Sequence, residues 1–140
     1  MFSILFKILV PILLAPGISS IVYDKTGGRG GNTEHLSITR FSIYYTQGKA
    51  GKEKTLTEKI SFANWNKLTA SINLKNFDAI QSNPGHALYD GTDITITVVD
   101  GRSEHSIVNG NEDQVHYKNI AAFTRLLESH LERMRKKVTW

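Results

Sequence analysis

From residue 94 onward the chain alternates. Ile94, Ile96 and Val98 fall on one side and Thr95 and Thr97 on the other, the period of two that marks a half-buried strand. Asp100-Gly101 then reads as a two-residue hairpin turn, because both central positions of such a turn take positive φ. The chain returns with His105, Ile107 and Asn109 on one face and Ser106 and Val108 on the other. A two-stranded ribbon with one apolar face is not stable alone, so the pattern over residues 93–109 requires a cover. A helix predicted over residues 115–134 supplies it. There Ile120, Phe123, Leu127, Leu131 and Met134 recur every three or four positions, and Lys118, Arg125, Glu128, Glu132 and Arg133 fill the other side.

Upstream the same reading gives more strands and one more helix. Residues 21–25 form a short first strand. In residues 35–46, Leu36 and Ile38 share one phase and Phe41, Ile43 and Tyr45 the other, so a bulge or a tight turn sits at Arg40. Residues 47–54 read as a polar, mobile loop and residues 55–60 as a further short strand. Ser61 is a good N-cap, and Phe62, Trp65, Leu68, Thr69 and Ile72 follow at helical spacing towards Asn73. Phe77 and Ile80 look like anchors for the exit segment. Residues 81–92 are irregular, with turn signals at Asn83-Pro84-Gly85 and Asp90-Gly91, and 110–113 form a second polar turn. Every element has one apolar side. The expected fold is therefore α+β, an antiparallel sheet of five or six strands with two helices packed on one face.

Residues 1–20 differ from the rest. Lys7, the apolar run 8–15 and the small residues Gly17, Ser19 and Ser20 describe a secretory signal peptide, with cleavage expected near Ser19 or Ser20. The run is short for a transmembrane helix and carries Pro11. The remaining 21–140 suit a single domain. The expected location is secreted or periplasmic, with membrane contact only through the export signal. The 140-residue chain has no cysteine, which removes disulfides, thiolate metal sites and thiol nucleophiles. Its formal charge of +4 owes much to Arg133, Arg135, Lys136 and Lys137, which read as a solvated helix end compensating the dipole. No aromatic residues are interleaved with these charges, so no nucleic-acid partner is expected.

Candidate chemistry is sparse. Gly27, Gly28, Gly30 and Gly31 invite a phosphate-loop reading. It fails, because no Gly-Lys-Ser/Thr is present, Thr33 stands where a dinucleotide loop needs glycine, and a strand follows rather than a helix. The segment is a bent connection needing positive φ, able to bring bare backbone close to a partner, with Arg29 as its charged contact. The five histidines are scattered. His86, Asp90 and Asp93 make the densest potential ligand set, but they lack the run of oxygen ligands of a calcium loop. Ser103-Glu104-His105-Ser106 gathers nucleophile and base types on a hairpin where neighbours point to opposite faces, and no Gly-x-Ser-x-Gly occurs. No catalytic residue, metal ligand or cofactor is therefore assigned, and the chain is not expected to be an enzyme.

A strand ending in Gly27-Gly28-x-Gly30, a helix with Trp65 and Leu68, then Phe77, an Asp90-led hairpin and a final helix resemble a set of small, mostly uncharacterised exported bacterial domains. More distantly, the layout over residues 21–131 is similar to the emfourin family of protein inhibitors of thermolysin-type metalloproteases. This chain departs from that layout by its polar stretch 47–54 and its export signal, and no inhibitory residue carries over position by position. The resemblance implies a protein partner, and a protease as one form of it. The expected function is a non-catalytic exported binding domain acting through loops 27–32 and 82–93, with Gly27, Gly28, Arg29, Gly30, Asp90 and Asp93 as binding residues. A metal-dependent hydrolase using His86, Asp90 and Asp93, and a structural envelope component, are the alternatives.

Overall fold

The structure, a computed structural model, describes residues 17–140, so the greater part of the expected signal peptide lies outside the described residues. Six strands, β1 (Ile18–Gly27), β2 (Thr33–Thr39), β3 (Ser42–Lys49), β4 (Lys52–Lys59), β5 (Thr92–Asp100) and β6 (Ser103–Val108), form one sheet in the order β4-β3-β2-β1-β5-β6. All neighbours are antiparallel. The helices are α1 (Phe62–Ala70), α2 (Leu74–Asp78) and α3 (Ala121–Lys137). The α+β expectation holds, with six strands.

The alternation read from sequence sets the register. Ile96 faces Ile107 and Val98 faces His105 across β5 and β6. Ile21 and Tyr23 of β1 sit beside Ile38 and Leu36 of β2, and these beside Ile43 and Tyr45 of β3. Apart from His105, all nine of these residues are buried under the helices. The stripe on α3 does what its spacing predicts: Phe123, Leu127, Leu131 and Met134 are buried, with Ile120 just ahead of them. The cover crosses the sheet obliquely. It begins near β6, where Tyr117 packs by Gly110 and Ile107, and ends over β4, where Lys137 and Arg133 reach Glu58. Ser61 caps α1 by accepting the Asn64 N–H at 3.1 Å.

Several boundaries differ from expectation. The slip at Arg40 is a tight turn, held by the Thr39 hydroxyl, which accepts the N–H groups of Phe41 and Ser42 at 3.3 Å. Phe41 stands in that turn, 74% exposed, rather than in the core. Residues 47–54 are not a loop. β3 runs through Lys49 and β4 starts at Lys52, so only Ala50 (φ 50°) and Gly51 (φ 75°) turn, both left-handed as a tight hairpin demands. Asp100 pairs with Ser103, so the second hairpin turns on Gly101 and Arg102. Only Gly101 takes positive φ there, the pattern of a type II′ turn. The first helix stops at Ala70 and is followed by α2, whose N-cap Asn73 accepts from the Asn76 N–H. The last helix is entered through a 3-10 turn, Tyr117–Ile120, and Val115 is exposed. β1 starts at Ile18, three residues before the expected Ile21, and Ser19 donates its hydroxyl to the Val99 carbonyl at 3.3 Å.

One buried polar cluster locks the layers together. Glu34 on β2 accepts two hydrogen bonds from the Arg135 guanidinium, at 2.6 and 2.8 Å, and one from the Tyr45 hydroxyl at 2.7 Å. Burial alone would raise the Glu34 carboxyl; the Arg135 and Tyr45 contacts outweigh it and hold the group below its ordinary value. Arg135 is thus a tie between α3 and the sheet, not the solvated end expected from its place in a basic tail.

Candidate functional site

The strand directions gather three connections at one end of the sheet: the β1–β2 loop, the β3–β4 turn and the segment entering β5. The first and third touch. Gly28 donates its N–H to the Gly91 carbonyl at 2.7 Å. Gly27 has φ 98°, and a Cβ there would lie 2.4 Å from the Gly91 oxygen and 2.8 Å from the Ala87 Cβ. Only glycine permits this approach.

Asp93 builds the third connection. Its carboxylate accepts the N–H groups of His86 at 3.0 Å, Ala87 at 3.2 Å and Gly85 at 3.3 Å, where a short 3-10 turn, His86–Tyr89, begins. Buried Asn109 stands behind it. Its amide donates to Asp93 at 2.7 Å and to the Asn83 carbonyl at 2.8 Å, and its Oδ1 accepts the Ile94 N–H at 2.8 Å. Desolvation would push the Asp93 carboxyl up, but the Asn109 amide and the three backbone donors together hold it below its usual range. A second acidic layer lies below. Glu112 accepts from Asn83 and contacts His86 Nε2 at 2.6 Å, and both contacts lower its carboxyl. Asp113 accepts the N–H groups of Gln81, His116 and Val115, and these hold its carboxyl well below the ordinary value.

This network turns an irregular twelve-residue stretch into a held platform, where the sequence suggested a free loop. Its tip stays bare. Leu88 is 82% exposed and Tyr89 87% exposed, and Arg29, Gly30 and Asp90 are exposed around them. Asp90 closes the 3-10 turn at φ 61°. Of the six expected binding positions, Gly27, Gly28 and Asp93 turn their contacts inward and fasten the two loops. Arg29, Gly30 and Asp90 face solvent. Sequence reasoning missed Leu88 and Tyr89. Their signal was two large apolar residues between turn residues, out of phase with any strand or helix.

The chemistry of the histidines is local pairing. His35 contacts Asp24 at 2.5 Å, His105 contacts Asp78 at 2.7 Å and His116 contacts Asp113 at 2.8 Å. His86, Asp90 and Asp93 do not converge, since the His86 ring meets Glu112 and the Asp93 oxygens meet backbone amides. Among the described residues no group of three or more His, Asp or Glu side chains is placed to hold a metal ion. Neither a protein-family model nor a curated protein matches the chain.

Proposed function

We propose that the chain is a non-catalytic, exported binding domain that engages another protein through the Leu88–Tyr89 tip and the adjoining glycine-rich loop. The observation that carries the reading is a pair of large side chains left in water on a backbone held by Asp93 and Asn109. Buried anchors, tyrosine prominent among them, carry most of the energy of protein interfaces, and a loop ordered beforehand loses little entropy on docking. Burying Leu88 and Tyr89 against a partner is worth roughly 3–6 kcal/mol by apolar area, which is about a hundredfold or more in affinity. The Leu88→Asp/Tyr89→Ser double variant, compared with the parent in pull-downs from envelope extracts, tests it. Partners held by the parent and lost by the variant support the proposal; an unchanged set of partners overturns it. Inhibition of a thermolysin-type metalloprotease is the specific form suggested by the family resemblance, and undiminished protease activity in the presence of excess domain removes that form.

Export is read from residues 1–20 alone, and the start of β1 favours a cut ahead of Ile18 over one near Ser20. A cut after Ser20 would remove Ile18, which pairs with Asp100, and Ser20, which pairs with Thr39 and Val99. Ala15-Pro16-Gly17 offers the small-x-small pattern that processing favours, and a cut after Gly17 leaves the strand whole. N-terminal sequencing of the exported protein is expected to begin at Ile18. An intact Met1 would remove the cleaved-signal reading. Among the described residues no helix is long and apolar enough to cross a membrane.

A further inference from the structure

At the same end of the molecule, but on the helix-covered face, lies a second feature that neither the loop tip nor the core explains. A cavity of about 250 Å³ opens between Lys25, Asn32, Thr33, Gln47, Lys49 and Trp140. The strand register assembles it. Lys25 stands beside Glu34, Glu34 beside Gln47, and Gln47 beside Lys54, in one row across four strands. Lys49 and Lys52 form the next pair outward. The one acidic side chain lining the cavity, Glu34, is already engaged by the two Arg135 donors and the Tyr45 hydroxyl. Among the described residues neither Lys25 nor Lys49 has a salt-bridge partner. The cavity therefore carries a positive surplus with donors at its rim.

Trp140 gives the site a flat apolar wall. Its Nε1–H donates to Gln47 Oε1 at 2.7 Å, and the Lys54 ammonium lies 4.8 Å over the indole while also donating to the Thr139 carbonyl. The ring is thus positioned from the sheet rather than left loose. Two ammonium groups without salt-bridge partners, the Asn32 and Gln47 amides and an indole wall select an anion with a planar apolar body. The volume is below the range of drug-sized ligands, which limits that body to about one ring.

We propose that this cavity binds a small aromatic carboxylate, its acid group between Lys25 and Lys49 and its ring against Trp140. The site is independent of the Leu88–Tyr89 tip and stands or falls separately from it. The test uses the Trp65→Phe variant, so that Trp140 is the single emitting tryptophan, and titrates benzoate against benzamide at constant ionic strength. The expected result is a saturable change in Trp140 emission with benzoate, absent with benzamide, and at least tenfold weaker binding in Lys25→Ala and in Lys49→Ala. Trp65 is buried; if its replacement prevents folding, 5-fluorotryptophan incorporated into the parent chain reports Trp140 separately by fluorine NMR. Equal responses to benzoate and benzamide, a response reproduced by sodium chloride, or unaltered binding in both lysine variants would overturn the proposal. So would a response to an oligoglutamate peptide with none to benzoate, which would make the patch a surface for acidic protein segments.

Discussion

Among the described residues, Ala50 is the one alanine whose backbone sits in the left-handed region, at φ 50° in the β3–β4 turn, with Gly51 behind it at 75°. A residue with a Cβ loses roughly 1–2 kcal/mol there, and asparagine tolerates the conformation better. Ala50→Asn is therefore expected to stabilise the protein by about 0.5–1 kcal/mol, read as a rise of roughly 2–4 °C in thermal midpoint. Asn109 is the opposite case. Also left-handed, at φ 50°, it is already the residue that the position favours, and its side chain makes three hydrogen bonds among β5, Asp93 and Asn83. Asn109→Ala leaves the Ile94 N–H without its acceptor, at a cost of roughly 2–3 kcal/mol, and is expected to open the 82–91 platform to limited proteolysis. Local chemistry of this kind reads only partly from sequence. Gly27 announced a positive φ, but not the Ala87 methyl and Gly91 carbonyl that forbid a Cβ there. Asp93 was expected to bind a partner, yet its carboxylate is taken up by the Asn109 amide and the backbone amides of residues 85–87, which composition does not reveal.

Among the elements, α3 was legible in its apolar stripe and illegible in its polar one. Spacing every three or four residues finds Phe123, Leu127 and Leu131, because burial follows helical period. It does not find that Arg135 turns inward to Glu34, 101 positions away in sequence. Arg135→Ala leaves Glu34 buried without its counter-charge, and a loss of about 3–5 kcal/mol in urea unfolding is expected. Arg135→Lys recovers only part of that, because an ammonium cannot donate two parallel bonds to one carboxylate. Acidic groups held by hydrogen bonds, three around the start of β5 and one on β2, set the response to pH. Asp93, Glu112, Asp113 and Glu34 all sit below their ordinary values in the folded protein. Their contribution is complete above the unfolded carboxyl values of about 4 and is lost as pH falls from there towards the folded values. Urea midpoints are expected to fall between pH 5 and pH 2. Amide exchange in 81–93 should accelerate on acidification before that in β1.

In the molecule as a whole, two layers were predictable because each strand and helix has a single apolar side. The strand order was not. Hairpins β2–β3, β3–β4 and β5–β6 follow from short turns, whereas β1 against β5 joins segments some seventy residues apart and no local signal marks that pairing. That long-range contact brings the Gly27–Gly28 backbone against Gly91 and so creates the tip carrying Leu88 and Tyr89. The open face of the sheet, with His35 and Asp24 at its centre flanked by Thr46 and Thr95, was likewise readable as polar but not as a single row.

β1 spans the sheet from Ile18 at one end to Gly27 at the other. A ten-residue strand measures roughly 30 Å, so Ile18 stands about that far from Leu88 and Tyr89, on the side of the Arg40–Phe41 turn. A bead, a carrier or a surface coupled through the amino terminus leaves the tip facing outward. The same coupling made through the Ala50–Gly51 turn would place the bead beside the tip and obstruct it.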